Sequence, residues 1–169
     1  MHHQPTVVFG CIPPLDVPSS KLTIDFYDFK KTPDQKTQFK NYSLDEQYQL
    51  LIYGNQVKYP PDLRLVEWFA EEGPRIIPFL SAKLNATQNE KTICNIMHVF
   101  SDIALSERYD FSNDQELLAL LDQKAQNMGL RKHIALTMIT QIRTGKFVFL
   151  PQQELEYLSK KKEHPDSSQ

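Results

Sequence analysis

From Ser43 to Thr144 apolar residues recur three or four positions apart, and glycine, proline and hydroxyl residues punctuate the recurrence. That spacing is the period of an amphipathic helix rather than of a strand. The breaks between runs are short, and helices joined by short links pack antiparallel. The chain is therefore expected to be all-α, built from antiparallel helix pairs. Ser43 and Glu46 have the spacing of a capping box, in which each side chain satisfies a backbone amide of the other residue. Leu44, Tyr48, Leu51 and Ile52 follow on one stripe, and Gly54 is the expected stop. Pro60-Pro61-Asp62 opens a second helix with Leu63, Val66, Phe69 and Ala70 facing inward and Trp68 alongside, closed by Gly73-Pro74.

The third helix carries Ile76, Ile77, Leu80 and Leu84, and tolerates Pro78 in its first turn. Thr87 and Glu90 read as another capping box ahead of Ile93, Ile96, Met97, Phe100, Ile103 and Ala104. A polar loop over 106–112 holds Tyr109 and Phe111, and Ser112 with Gln115 is placed to cap the next helix. That helix lines up Leu117, Leu118, Leu121, Ala125 and Met128 before Gly129. The last has Leu130, Ile134, Ala135, Met138, Ile139 and Ile142 and stops at Gly145. Phe147-Val148-Phe149-Leu150 is an apolar run too short for its own helix, read as a buried extended segment or an exposed patch, and a charged helix over 152–162 precedes a frayed tail over 163–169.

The first 20 residues behave differently. Pro5, Pro13, Pro14 and Pro18, with Ser19 and Ser20, read as a flexible segment, so the helical domain is expected to span 21–162. Leu22 to Phe29 alternates apolar and polar residues, broken only at Tyr27, which predicts an extended strap over 21–42. Val8-Phe9-Gly10-Cys11 resembles the end of a bacterial lipoprotein signal. The resemblance implies lipidation at Cys11, a Pro/Ser tether after it and a cell-envelope location; without it the expected location is cytoplasmic. Three features depart from that pattern: no Lys or Arg precedes the apolar stretch, the stretch is short, and Phe9 is large.

Gly73-Pro74-Arg75-Ile76-Ile77-Pro78-Phe79-Leu80-Ser81-Ala82-Lys83-Leu84 resembles the second helix of a HEAT-type repeat, with its glycine, aliphatic pair, early proline and leucines four apart. The resemblance covers 61–86 and implies a short solenoid or bundle. Residues 88–144 share only the helical hairpins, without a fixed period. The stretch from Ser43 to Asp62 is also similar to uncharacterised bacterial helical proteins, which carry no function to transfer.

Chemistry is sparse. Net charge is −2 and no basic footprint for nucleic acid is concentrated anywhere; Arg131-Lys132-His133 and Lys160-Lys161-Lys162 read as solvated helix faces or ends. No apolar run approaches the roughly 18 residues of a spanning helix. No phosphate loop, dinucleotide fingerprint, nucleophile elbow or zinc-protease motif is present, so neither a catalytic residue nor a cofactor is assigned. Cys94, His98 and Asp102 recur four apart, and thiolate, imidazole and carboxylate all bind zinc, but the outer two lie about 12 Å apart along a helix. They read as an exposed polar edge with at most two adjacent members able to share an ion. Glu71 and Glu72 point about 100° apart and read as a solvated helix end.

The aromatic set Tyr48, Tyr53, Tyr59, Trp68 and Phe69 is either packing between the first two helices or, with Tyr42, Glu71 and Glu72 around it, a recognition surface. As a recognition surface it makes the chain a non-catalytic module binding a protein or peptide, of adaptor, envelope-accessory or toxin-inhibitor type. Two alternatives stand beside it. One is a hydrolase-type enzyme assembling Cys94, His98, Asp102 and His133; the other is self-association through Phe147 to Leu150.

Overall fold

A computed structural model describes residues 19–148, and these form eight α-helices and two 3-10 turns with no strand among them. They are α1 (Lys21–Phe26), α2 (Gln35–Asn41), α3 (Leu44–Gln56), α4 (Arg64–Ala70), α5 (Ile77–Ala86), α6 (Glu90–Leu105), α7 (Gln115–Gln126) and α8 (Lys132–Thr144), with 3-10 turns at Gly73–Ile76 and Phe111–Asn113. The all-α expectation holds. Cys11, Phe149, Leu150 and the expected terminal helix lie outside the described residues. No helix among the described residues is long and apolar enough to cross a membrane.

The predicted strap is helical instead. Ser20 and Thr23 cap each other reciprocally and start α1 where apolar alternation alone suggested a strand. Asp34 caps α2 by accepting from the Thr37 amide. Phe26 and Phe39 from these two helices are fully buried, so 21–42 belongs to the core layer. The Ser43–Glu46 box forms as expected. Gly54 does not stop α3, which runs on to Gln56; it lies where a side chain would collide with Leu65 and with the Tyr27 hydroxyl.

Two other caps move. Asn89, rather than Thr87, caps α6 by accepting from the Lys91 and Thr92 amides. Asp114, rather than Ser112, caps α7 through the Leu117 amide. Both replacements put a short side-chain acceptor immediately before the helix. Gly145 ends α8 in the left-handed conformation (φ 61°), as a helix-terminating glycine does.

α6 is the centre of the molecule, packed by α3, α4, α5 and α8. Ile93, Ile96, Met97, Phe100 and Ile103 are all buried, as expected. Leu63, Leu130 and Ile134, expected to face inward, are 58, 92 and 38% exposed. α8 runs beside α6 in the same direction. Glu90, opening α6, accepts from the Gly129 and Arg131 amides ahead of α8; farther along, the buried Ser101 hydroxyl donates to Gln141 Oε1 at 2.7 Å. α7 reaches back the same way, its buried Lys124 ammonium donating to the Asn85 and Thr87 carbonyls that end α5.

Candidate functional site

The structure divides the aromatic and acidic set into core, seam and surface. Tyr48 and Trp68 are each 8% exposed and belong to the core. Trp68 packs on Phe39, with the Arg64 guanidinium 5.2 Å above its indole ring. Tyr48 stacks edge-on against Phe79, and Lys83 lies over both rings. Tyr42 is half-buried against Phe26.

Glu71 and Glu72 are likewise not a free acidic surface. They follow the last turn of α4, at the negative end of its dipole, where acidic side chains are disfavoured. α2 supplies the compensating cations: Lys36 reaches Glu71 at 2.8 Å, Lys40 reaches Glu71 and Glu72 at 3.3 Å, and Lys40 also donates to the Trp68 carbonyl at 2.6 Å. Arg75 pairs with Glu72 at 2.7 Å. The two carboxylates bind α2 to α4.

What remains outward is the α3–α4 link and its surroundings. Tyr59 is 96% exposed, between Val57 (41%) and Leu63 (58%). Tyr53, half-buried at the end of α3, packs against Tyr27 at 6.1 Å between ring centres. The Tyr27 hydroxyl donates to Asp62 Oδ2 at 3.2 Å, and the Lys58 ammonium sits 4.6 Å over the Tyr27 ring. Burial and the Asp62 carboxylate hold the Tyr27 hydroxyl protonated, pushing its pKa up. α1 is thus fastened to this link through Tyr27, and the exposed Ile24 (60%) and Phe29 (68%) flank Tyr27 in sequence, three residues before it and two after. Ile24 and Phe29 were missed because they fall in the stretch read as a strap.

The metal candidates do not converge. Among the described residues no group of three His, Cys, Asp or Glu side chains could hold an ion. Cys94 corrects the reading of an exposed polar edge: it is buried, and burial pushes its thiol up to about 11. A thiol held protonated there is a poor nucleophile and a poor ligand. His98 projects outward, where desolvation by the surrounding helices lowers its pKa and the Asp102 carboxylate one turn on opposes the shift. His133 lies half-buried on α8. Comparison with family models, with curated proteins and with solved structures found no match to this chain.

Proposed function

We propose that this chain is a non-catalytic helical module that binds a protein or peptide segment along the apolar edge formed by α1 and the α3–α4 link. One observation carries the reading: Ile24, Phe29, Val57, Tyr59 and Leu63 make up five of the nine large apolar side chains exposed among the described residues, and they cluster on two adjoining segments. A scattered exposed apolar residue needs no explanation, whereas a contiguous set of them marks an interaction surface. Tyrosine is among the residues that dominate binding hot spots, and Tyr59 is the most exposed member of the set. The edge is also held rigid beneath, by Tyr27 on Asp62 and Tyr53, so its presentation costs little ordering on binding. The same-direction packing of α6 and α8 supports the HEAT-like reading of the helical hairpins, a geometry that serves protein recognition in other folds.

The experiment is photo-crosslinking with benzoylphenylalanine at position 59, and at exposed position 116 on α7 as the control. The expected result is an adduct of defined mass at 59 alone, competed by the unlabelled protein and lost when Val57→Ser and Leu63→Ser accompany the crosslinker in a protein whose melting temperature is unchanged. Identical adducts at both positions would show a surface without preference and end the reading.

A further inference from the structure

α6 and α8 are related by a shift of 39 residues. Ile96, Val99, Phe100 and Ile103 fall on Ala135, Met138, Ile139 and Ile142, and all eight are buried. The partner helices repeat as well, at a shift of 41: Ile77, Leu80 and Leu84 fall on Leu118, Leu121 and Ala125, again all buried. The hairpin α5–α6 is therefore followed by a second hairpin, α7–α8, built to the same burial plan.

The same shift applied to the other stripe of α6 locates a surface. α8 lies along the α6 stripe that runs through the buried Cys94, Met97, Ser101 and Ala104: Glu90, one turn before Cys94, accepts from the Gly129 and Arg131 amides, Ser101 donates to Gln141, and the Ala104 carbonyl stands 3.5 Å from where a side chain on Gly145 would begin. Their counterparts on α8 are His133, Leu136, Thr140 and Arg143. Of these, Leu136 is 40% exposed, Thr140 and Arg143 are exposed, and His133 is half-buried. α8 thus repeats the seat in which α6 holds a parallel helix, and no described element occupies it.

The chemistry of the seat selects its occupant. From Leu130 to Val148 there is no Asp or Glu, while Arg131, Lys132, Arg143 and Lys146 are cationic. Asp122 of α7 neutralises Arg143 at 3.0 Å. Arg131 and Lys132 stand at the start of α8, the positive end of its dipole, where the single Glu90 carboxylate that accepts from the Gly129 and Arg131 amides leaves positive charge in excess. The central Thr140 and aliphatic Leu136 suit close approach of another helix, with carboxylates reaching the ends.

We propose that this outer stripe of α8 binds an acidic amphipathic helix of a partner protein, lying along α8 as α8 lies along α6. The test uses the full chain and a synthetic Leu/Glu heptad peptide about five turns long. Binding is followed by fluorescence anisotropy at low and at physiological salt, and its place by amide chemical shifts. The expected result is salt-sensitive binding with shifts concentrated over 133–143, weakened at least about tenfold by Leu136→Glu or Thr140→Glu. Equal binding of the peptide with Lys in place of Glu overturns the proposal. So does an oligonucleotide or an anionic phospholipid vesicle that displaces the peptide and binds the Leu136→Glu variant undiminished. An intramolecular crosslink from benzoylphenylalanine at 140 to residues 149–169 overturns it too, since the chain would then cover its own face.

Discussion

Gly54 shows how one position can reverse an ordinary preference. Alanine in a helix interior is favoured over glycine by about 1 kcal/mol. Here an added Cβ would stand 2.5 Å from Leu65 Cδ1 and 2.5 Å from the Tyr27 hydroxyl. Both atoms end side chains, but neither is free to swing: Leu65 is fully buried, and Tyr27 is bonded to Asp62. Overpacking of this kind costs about 1–3 kcal/mol and outweighs the propensity gain. Gly54→Ala is thus expected to destabilise the protein in urea denaturation, and Tyr27→Phe in the same chain to return part of the loss. A more stable Gly54→Ala protein would show that the helix packing gives way freely. Lys124 makes a second case. Its ammonium donates to the Asn85 and Thr87 carbonyls at the end of α5, and desolvation there lowers its pKa. Lys124→Met keeps the stem and removes the charged donor from both carbonyls, at an expected cost of about 2 kcal/mol. A variant indistinguishable from the parent by circular dichroism in urea would mean that water replaces the ammonium there.

At the scale of elements, α2 is held to α4 by Phe39 packed on Trp68 and Phe69, with the lysine–glutamate pairs at the rim of that contact. Burial pushes the Glu71 carboxyl up, but hydrogen bonds from Lys36 and Lys40 outweigh it and hold it below its ordinary 4.5. A carboxyl lowered in the folded state stabilises the protein above that ordinary value, and the contribution fades as pH falls through the folded value. Lys40→Met should therefore cost about 1–2 kcal/mol at neutral pH. The gap between variant and parent should narrow in acid, where Glu71 protonates; a gap that stays constant with pH would place the loss in packing alone. How far such elements could be read from sequence depended on where their signals were kept. The long apolar faces of α6 and α7 were legible because burial repeats at the helical period over three turns or more. α1 was not: six residues are too few to separate a helical from an alternating pattern, and the decisive Ser20–Thr23 cap lies at its edge. The Thr87–Glu90 spacing misled for another reason. Glu90 is engaged with Gly129 and Arg131, about 40 residues away, a partner no local motif reveals. The edge around Tyr59 was partly legible, since its exposed tyrosine stood in the aromatic set, but which aromatics were buried was decided by α2, itself read as a strap.

For the molecule as a whole, the question is whether the successive hairpins behave as one body or as neighbours. The 39- and 41-residue shifts differ between the two arms and pair unlike residues, Phe100 with Ile139 and Val99 with Met138, which is why no fixed period stood out in the sequence. In a stack of helical hairpins stability is close to a sum of local terms and nearest-neighbour contacts, so damage at one end stays there. α6 is packed by α3, α4, α5 and α8, whereas α8 is packed by α6, α7 and the Phe111–Asn113 turn. Ile142 is 1% exposed on α8, and Ile142→Ala should cost about 2–5 kcal/mol. Native-state hydrogen exchange is expected to place that loss in α7 and α8, with α6 affected less and α3 and α4 unchanged. Phe100→Ala on α6, which removes the ring against Phe111, should instead speed exchange through every helix from α3 to α8. If Ile142→Ala speeds α3 and α4 as much as α8, the chain unfolds as one cooperative unit, and α8 cannot be treated as the open end of a stack.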